Sequence, residues 1–332
     1  MVSLISFLGG LPAGALAGWW AVRLVTAPAS GVPHSPVRCR HCQHPAALCV
    51  PRGRAVRCGD CGQLRARWPF PVCLLTATGF AVFAWLLTEI QCQSVTEVRP
   101  SGPLWSHRLP FQLLFLFFLL TAVITDFLDY VIPDEITRTG TVLAVVLATV
   151  SGDLQMIHIW VDWSDPLVSI YGPWLPQWMK DHQHLHGLAW SVAGLAAGAG
   201  LTHAARFLAS SILGFPALGS GDVTLMAMIG AFMGWQPVLC VLAFAPIAGI
   251  FVGLPVFIFT GRSFIAFGPY LCFAAAVVLC TWRSIWEAQQ LRIVFSHGPT
   301  VGGLVGGCLL LYAGLLFALR IFRAAPPERL RR

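Results

Sequence analysis

"LLTAVITDFLDYVIPDEITR", residues 119–138, decides how the chain is to be read. Its opening residues finish an apolar run, 109–125, that holds no Asp, Glu, Lys or Arg. Immediately after it, Asp126, Asp129, Asp134 and Glu135 fall within ten positions, in a chain with only 14 acidic residues among 332. An uncharged run of this kind fits the hydrocarbon core of a bilayer, which takes about 20 mostly apolar residues to cross. Acids gathered at the end of such a run sit where ionisable groups are costly to keep, and they become functional candidates for that reason.

The rest of the chain agrees with a membrane reading. Hydrophobic residues make up 57% and charged residues 11%, whereas a soluble globule carries a charged fraction nearer a quarter. Further stretches without any charged residue are 1–22, 69–88, 182–205, 223–261, 263–282 and 293–319. The 39-residue run 223–261 contains Gly234-Trp235-Gln236-Pro237, which divides it into two spans joined by a turn. The expectation is an all-α polytopic membrane protein of about nine transmembrane helices, near 3–26, 69–90, 109–128, 138–158, 186–208, 222–235, 237–260, 264–283 and 299–320. The first span lacks the basic start of a secretory signal, so it is kept as a span.

Charge gives the orientation. The loop 27–68 holds seven arginines against a single acid, Asp60, and the tail after the last span holds Arg320, Arg323, Arg329, Arg331 and Arg332. Basic loops stay in the cytoplasm. An N-terminus outside and nine spans place both basic regions, and the C-terminus, inside. The net charge of +7 is then an orientation signal and not a nucleic-acid surface. The same count brings Asp126 and Asp222, 96 residues apart, to the cytoplasmic side.

Asp222 stands in "GFPALGSGDVTLMAMIGAFMGW", 214–235, and is the sole acid between Asp181 and Glu287. Gly219 and Gly221 precede it and permit close backbone approach. Two carboxylates sharing a low-dielectric site cannot both ionise easily, so one can donate a proton while the other activates water. Simpler roles compete. Asp134 follows Pro133 and suits an N-cap, Glu135 suits a first helical turn, and Asp222 also opens a span.

The loop carries a second pattern. Cys39 and Cys42 in "CRHC" and Cys58 and Cys61 in "CGDC" form C-x2-C-x15-C-x2-C. That spacing suits a structural zinc ion on four thiolates, folding a loop too small for a core of its own. Cys49, His41 and His44 are the substitute ligands. The "DHQHLHG" segment, 181–187, is expected to be a solvated loop, and Trp160, Trp163, Trp174, Trp178 and Trp190 around it an interfacial aromatic belt.

Taken in order, "TDFLDYVIPDEIT", "GSGDVTLMAMIGAFMGWQ" and "FGPYL" (267–271) resemble the type IV prepilin peptidases, integral-membrane aspartic peptidases of the GxGD kind. The resemblance covers roughly residues 10–283. It implies that Asp126, eight residues before Asp134, and Asp222 form the catalytic pair, with Gly219, Gly221, Asp129 and Asp134 supporting the catalytic loops. Asp129 is the alternative first acid, because it follows Asp126 by three residues where the family has two. The family's Lys after the GxGD acid is Thr224 here.

The domain reading is then a first transmembrane helix, 1–26; a cytoplasmic zinc loop with four cysteine ligands, 27–68; a peptidase core, 69–283; and an extra helix with a basic tail, 284–332. The implied substrates are prepilin or pseudopilin precursors of type IV pilus or type II secretion systems, cut after a Gly at the cytoplasmic face of a bacterial inner membrane. Many members also methylate the new N-terminus with S-adenosylmethionine, though residues 65–73 here, "RARWPFPVC", lack the family's Arg-Tyr-Pro stretch and following acid. A transporter using intramembrane acids is the competing class; it predicts two related halves, and no such symmetry is seen in the sequence.

Overall fold

The computed structural model describes residues 1–26, 49–52, 55–58, 64–66, 69–98, 103–129, 131–161, 176–215, 218–260, 267–288 and 291–324. Its helices are α1 (Val2–Thr26), α2 (Pro69–Thr88), α3 (Leu104–Asp129), α4 (Asp134–Ser151), α5 (Gln177–Asp181), α6 (Gln183–Leu213), α7 (Ser220–Met233), α8 (Trp235–Thr260), α9 (Gly268–Arg283), α10 (Leu291–Ser296) and α11 (Gly298–Ala324). A single π-helical turn, Ser284–Ala288, extends α9.

Among the described residues, five helical stretches are long and apolar enough to cross a membrane: Val2–Leu24, Pro71–Thr88, His107–Leu128, Gly268–Ala288 and Gly298–Phe322. Ser220–Met233 and Trp235–Phe251 are apolar but shorter. Helices lie at the stretches expected to span, but α4 and α6 are not among those long and apolar enough to qualify, so the nine spans are not all matched. The turn expected at 234–237 falls where Gly234, with φ +82°, separates α7 from α8. One expected span is cut short. Gly152, at φ +67°, ends α4 at Ser151, seven residues before the expected boundary. Glycine reaches this left-handed conformation without the Cβ penalty other residues meet.

The all-α expectation needs one correction. Inside the basic loop lie three short antiparallel strands, β1 (Cys49–Arg52), β2 (Ala55–Cys58) and β3 (Leu64–Ala66), in the order β1-β2-β3. The register pairs Cys49 with Cys58. Alternation over three or four residues is too short to register as a strand signal.

The chain divides into two compact units. The first comprises 1–92, 100–140 and 242–280. Here α1 packs along α2, and both lie on α3. Small residues permit the closeness: a Cβ added at Gly10 would stand 2.5 Å from the Ala77 Cα, and one at Gly14 2.7 Å from the Cys73 Cα. Lipid is as apolar as a leucine surface, so close packing of small residues takes over from hydrophobic burial in holding such helices together. Ala17, Ala21, Val72 and Ile124 form a buried cluster there, flanked by Phe117, Leu120 and Leu128.

The second unit comprises 93–99, 141–241 and 281–332. Its spine is the antiparallel pair α6 and α7. Added Cβ atoms at Gly194 and Gly230 would each collide with the other residue's carbonyl oxygen, and one at Gly198 with that of Met226. The Ser191 hydroxyl donates to the Ala231 carbonyl at 2.8 Å across the same seam. A polar cluster ties distant segments together. Glu97 Oε1 accepts from Trp286 Nε1 at 2.8 Å, Trp235 Nε1 donates to the Ile159 carbonyl at 2.7 Å, and Gln236 Nε2 donates to the His158 carbonyl at 2.8 Å.

That cluster corrects two expectations. His184 and His186 lie in α6, not in a solvated loop, and His186 is buried with its ring 5.1 Å from that of His158. His186 Nε2 accepts from the Ile159 N–H at 3.3 Å. Trp190 is fully buried against Gly234 instead of belonging to a belt, and Trp160 stacks on Trp235 at 6.3 Å. Trp178 is exposed, while Trp163 and Trp174 lie outside the described residues. Spacing alone could not separate a belt tryptophan from a core one, because either choice buries the same ring.

Candidate active site

Asp126 sits one turn from the C-terminal end of α3 and is 5% exposed. Its own helix buries Ala122, Ile124 and Thr125 around it, and the Thr125 hydroxyl is turned back to the Ala122 carbonyl at 2.9 Å. The neighbour that shapes the carboxylate's position comes from another helix of the same unit. Gly268, first residue of α9, lies so close that an added Cβ would stand 2.6 Å from Asp126 Oδ2 and 2.8 Å from Ile132 Cδ1.

Asp222 is the third residue of α7 and is 9% exposed. Gly219 is the N-cap, and its backbone N–H donates to the Asp222 carboxylate. This is the acid half of a capping box, in which an N3 carboxylate reaches back to the N-cap amide. The capping role foreseen as the simpler alternative is therefore real, and it also fixes the carboxylate in space. The seam of α6 and α7 places further groups near it. Gly194 meets Gly230 and Gly198 meets Met226, so the seam runs toward the start of α7. Thr202 is 3% exposed, with its hydroxyl donated to the Gly198 carbonyl at 2.8 Å. Arg206, a turn beyond, acts electrostatically on the Asp222 carboxylate. A cation thus reaches the acid from α6, where Thr224 supplies none and instead donates its hydroxyl to the Gly221 carbonyl at 3.1 Å.

Asp134 lies apart from such packing. It opens α4 with its carboxylate at 2.6 Å from Arg138, both well exposed. The cap at this helix start is the Pro133 carbonyl, which accepts from the Ile136 N–H at 3.1 Å. Asp129 is the last residue of α3, and its side chain lies outside the described residues. Of the four loop cysteines, Cys58 closes β2, whereas Cys39, Cys42 and Cys61 lie outside the described residues. Among the described residues no cluster of three or more His, Cys, Asp or Glu could hold a metal.

Two residues described here were not singled out from the sequence. Gly268 was visible only as part of FGPYL, where a glycine before a proline suggests a turn. Thr202 had no signal of its own; its place depends on the register of two helices.

Buried acids at the ends of two helices, in a protein with several apolar helices of membrane length, fit a membrane protein that keeps ionisable groups at its helix ends. Residues 113–254, which include both Asp126 and Asp222, match the type IV leader peptidase family. Two curated relatives are each called a prepilin leader peptidase/N-methyltransferase. The one from Myxococcus xanthus (strain DK1622) is 49% identical over 47 residues, 14% of each chain. The one from Aeromonas hydrophila is 34% identical over 77 residues, 22% of this chain and 27% of that protein. The matched stretches thus span well under a third of those relatives. No solved structure matches the chain significantly.

Proposed function

We propose that this protein is a membrane aspartic endopeptidase that removes the leader of prepilin-like or pseudopilin precursors. The observation that carries the proposal is that the leader-peptidase match spans both buried acids, Asp126 and Asp222. One carboxylate takes a proton from water as its oxygen attacks the scissile carbonyl. The other gives a proton to the amide nitrogen as the carbon–nitrogen bond breaks, and the two then exchange roles. Gly219 places one carboxylate through its N–H, and Arg206 supplies a nearby positive charge.

Further parts of this reading come from the sequence. A nine-span path with the N-terminus outside puts both acids at the cytoplasmic face of a bacterial inner membrane, where cleavage follows a Gly just before the substrate's apolar helix. Cys39, Cys42, Cys58 and Cys61 hold a zinc ion that folds the basic loop, and the strand pairing of 49–58 gives that loop a framework. Methyl transfer, named for both relatives, requires S-adenosylmethionine and is a separate activity from the carboxylate chemistry.

The test is cleavage of a prepilin-type precursor by the detergent-purified protein beside Asp126→Asn and Asp222→Asn. The expected result is a substrate shortened after its leader Gly by the wild type and left intact by both variants, each still folded. Activity surviving in Asp126→Asn but lost in Asp129→Asn moves the first acid by three residues. Activity surviving in Asp222→Asn overturns the reading. A product heavier by one methyl group, seen only with S-adenosylmethionine present, would establish the second activity. Metal analysis should find zinc in the wild type and lose it in Cys58→Ser.

A further inference from the structure

We infer that Gly268 is a positioning residue for Asp126: the missing side chain at the start of α9 sets where the Asp126 carboxylate stands. The inference rests on the peptidase reading for its consequence in catalysis, but not for its geometry.

Glycine at 268 is not required by the backbone. The described glycines with positive φ are 152, 214 and 234, so Gly268 holds a conformation open to any L-residue. Space is what excludes a side chain. The first atom of one would meet Asp126 Oδ2 at 2.6 Å and Ile132 Cδ1 at 2.8 Å, both inside the closest approach that real Cβ atoms make. Nor is α9 free to retreat. Leu271, Ala275, Val278 and Leu279 are fully buried along it, and the Phe267 carbonyl accepts from the Tyr270 N–H at 3.1 Å and the Leu271 N–H at 3.3 Å. An interior packed to crystal density passes strain to its most mobile member. Here that means the ends of two side chains, and one of them is the carboxylate. A methyl at 268 therefore moves Asp126 more readily than it disturbs the helix.

The experiment uses the full-length protein in detergent and compares wild type, Gly268→Ala, Ile132→Val and the double variant. Two readouts are taken: steady-state cleavage of a prepilin-type precursor, and the rate at which a hydrophobic carbodiimide labels Asp126, followed by mass spectrometry with Asp126→Asn as the blank. Gly268→Ala is expected to keep its melting temperature and KM while kcat falls about a hundredfold, the usual consequence of misplacing a reacting group by about 1 Å. The labelling rate of Asp126 is expected to change in step. Adding Ile132→Val removes the second collision only, so the double variant stays impaired.

Three outcomes overturn the proposal. One is a Gly268→Ala protein with wild-type kcat and labelling. Another is a lowered melting temperature with labelling unchanged, which is ordinary packing. The third is full rescue by Ile132→Val, which assigns the loss to Ile132. Where Gly268→Ala does not accumulate in folded form, the double variant, relieved of one collision, is measured in its place. Because labelling does not depend on cleavage, failure of the peptidase reading (Asp126→Asn active) is distinguishable from failure of the positioning role.

Discussion

Asp126 and Asp222 differ in what the glycine beside each does: at one it leaves room, at the other it donates a hydrogen bond. Asp222 is bonded into place: it lies in the first turn of α7, where the Gly219 N–H donates to it and Arg206 adds a charge from α6. Asp126 lies in the last turn of α3, and its position is shaped by what stands against it, a bare glycine and the tip of Ile132. Bonds tolerate small changes of volume and fail when a donor is removed. Shape fails when a methyl group is added. The glycines beside the two acids therefore have opposite sensitivities, although each looks like a simple turn residue in the sequence.

Substitutions test this contrast. The largest effect is expected one level below the bonds, at the seam that brings α6 to α7. Gly198→Leu forces a side chain into the Met226 backbone and should cost more than the roughly 1–3 kcal/mol typical of overpacking, seen as a loss of folded protein on melting. Next comes the donor itself. Gly219 has φ −67°, which proline also adopts, so Gly219→Pro deletes the N–H while keeping that angle. A hydrogen bond to a charged group contributes about 1.5–3 kcal/mol, so cleavage should fall about ten- to a hundredfold with KM little altered. Gly219→Ala is the sharpening control for shape. Its Cβ would approach the Asp222 carboxylate no closer than 3.4 Å, so it should cost less than about tenfold, far less than Gly268→Ala. A reversal of that order would mean that Asp222 is also held by shape. Smallest of all is Asp134→Ala. It removes an exposed i,i+4 pair with Arg138, so the melting temperature should register less than about 0.5 kcal/mol. A large loss of cleavage there would give Asp134 a part in the site that its exposed pairing does not suggest.

Much of this was legible in the residue order. Uncharged runs located the helices because a bilayer excludes charge, and the acids at the ends of two of them stood out by scarcity. Gly234 and Pro237 marked the break between α7 and α8 because a positive φ leaves a local signature. The end of α4 was missed, since Gly152 interrupts a stretch whose apolar character continues through Leu154, Met156 and Ile157. Composition there reports burial and not helicity. The same limit explains His186 and Trp190, whose polar or interfacial character suggested an exposed place that the packing of α6 overrides.

Residue order alone pointed to a membrane protein, to the approximate positions of its helices and to Asp126 and Asp222 as candidates, because each follows from hydrophobicity and charge read along the chain. Only the tertiary structure decided what surrounds those acids. It paired Gly268 with Asp126 across 142 positions and joined α6 to α7 through the glycine seam. Those neighbours meet through the register and close approach of separate helices, which depend on shape complementarity between surfaces that are not contiguous in the chain.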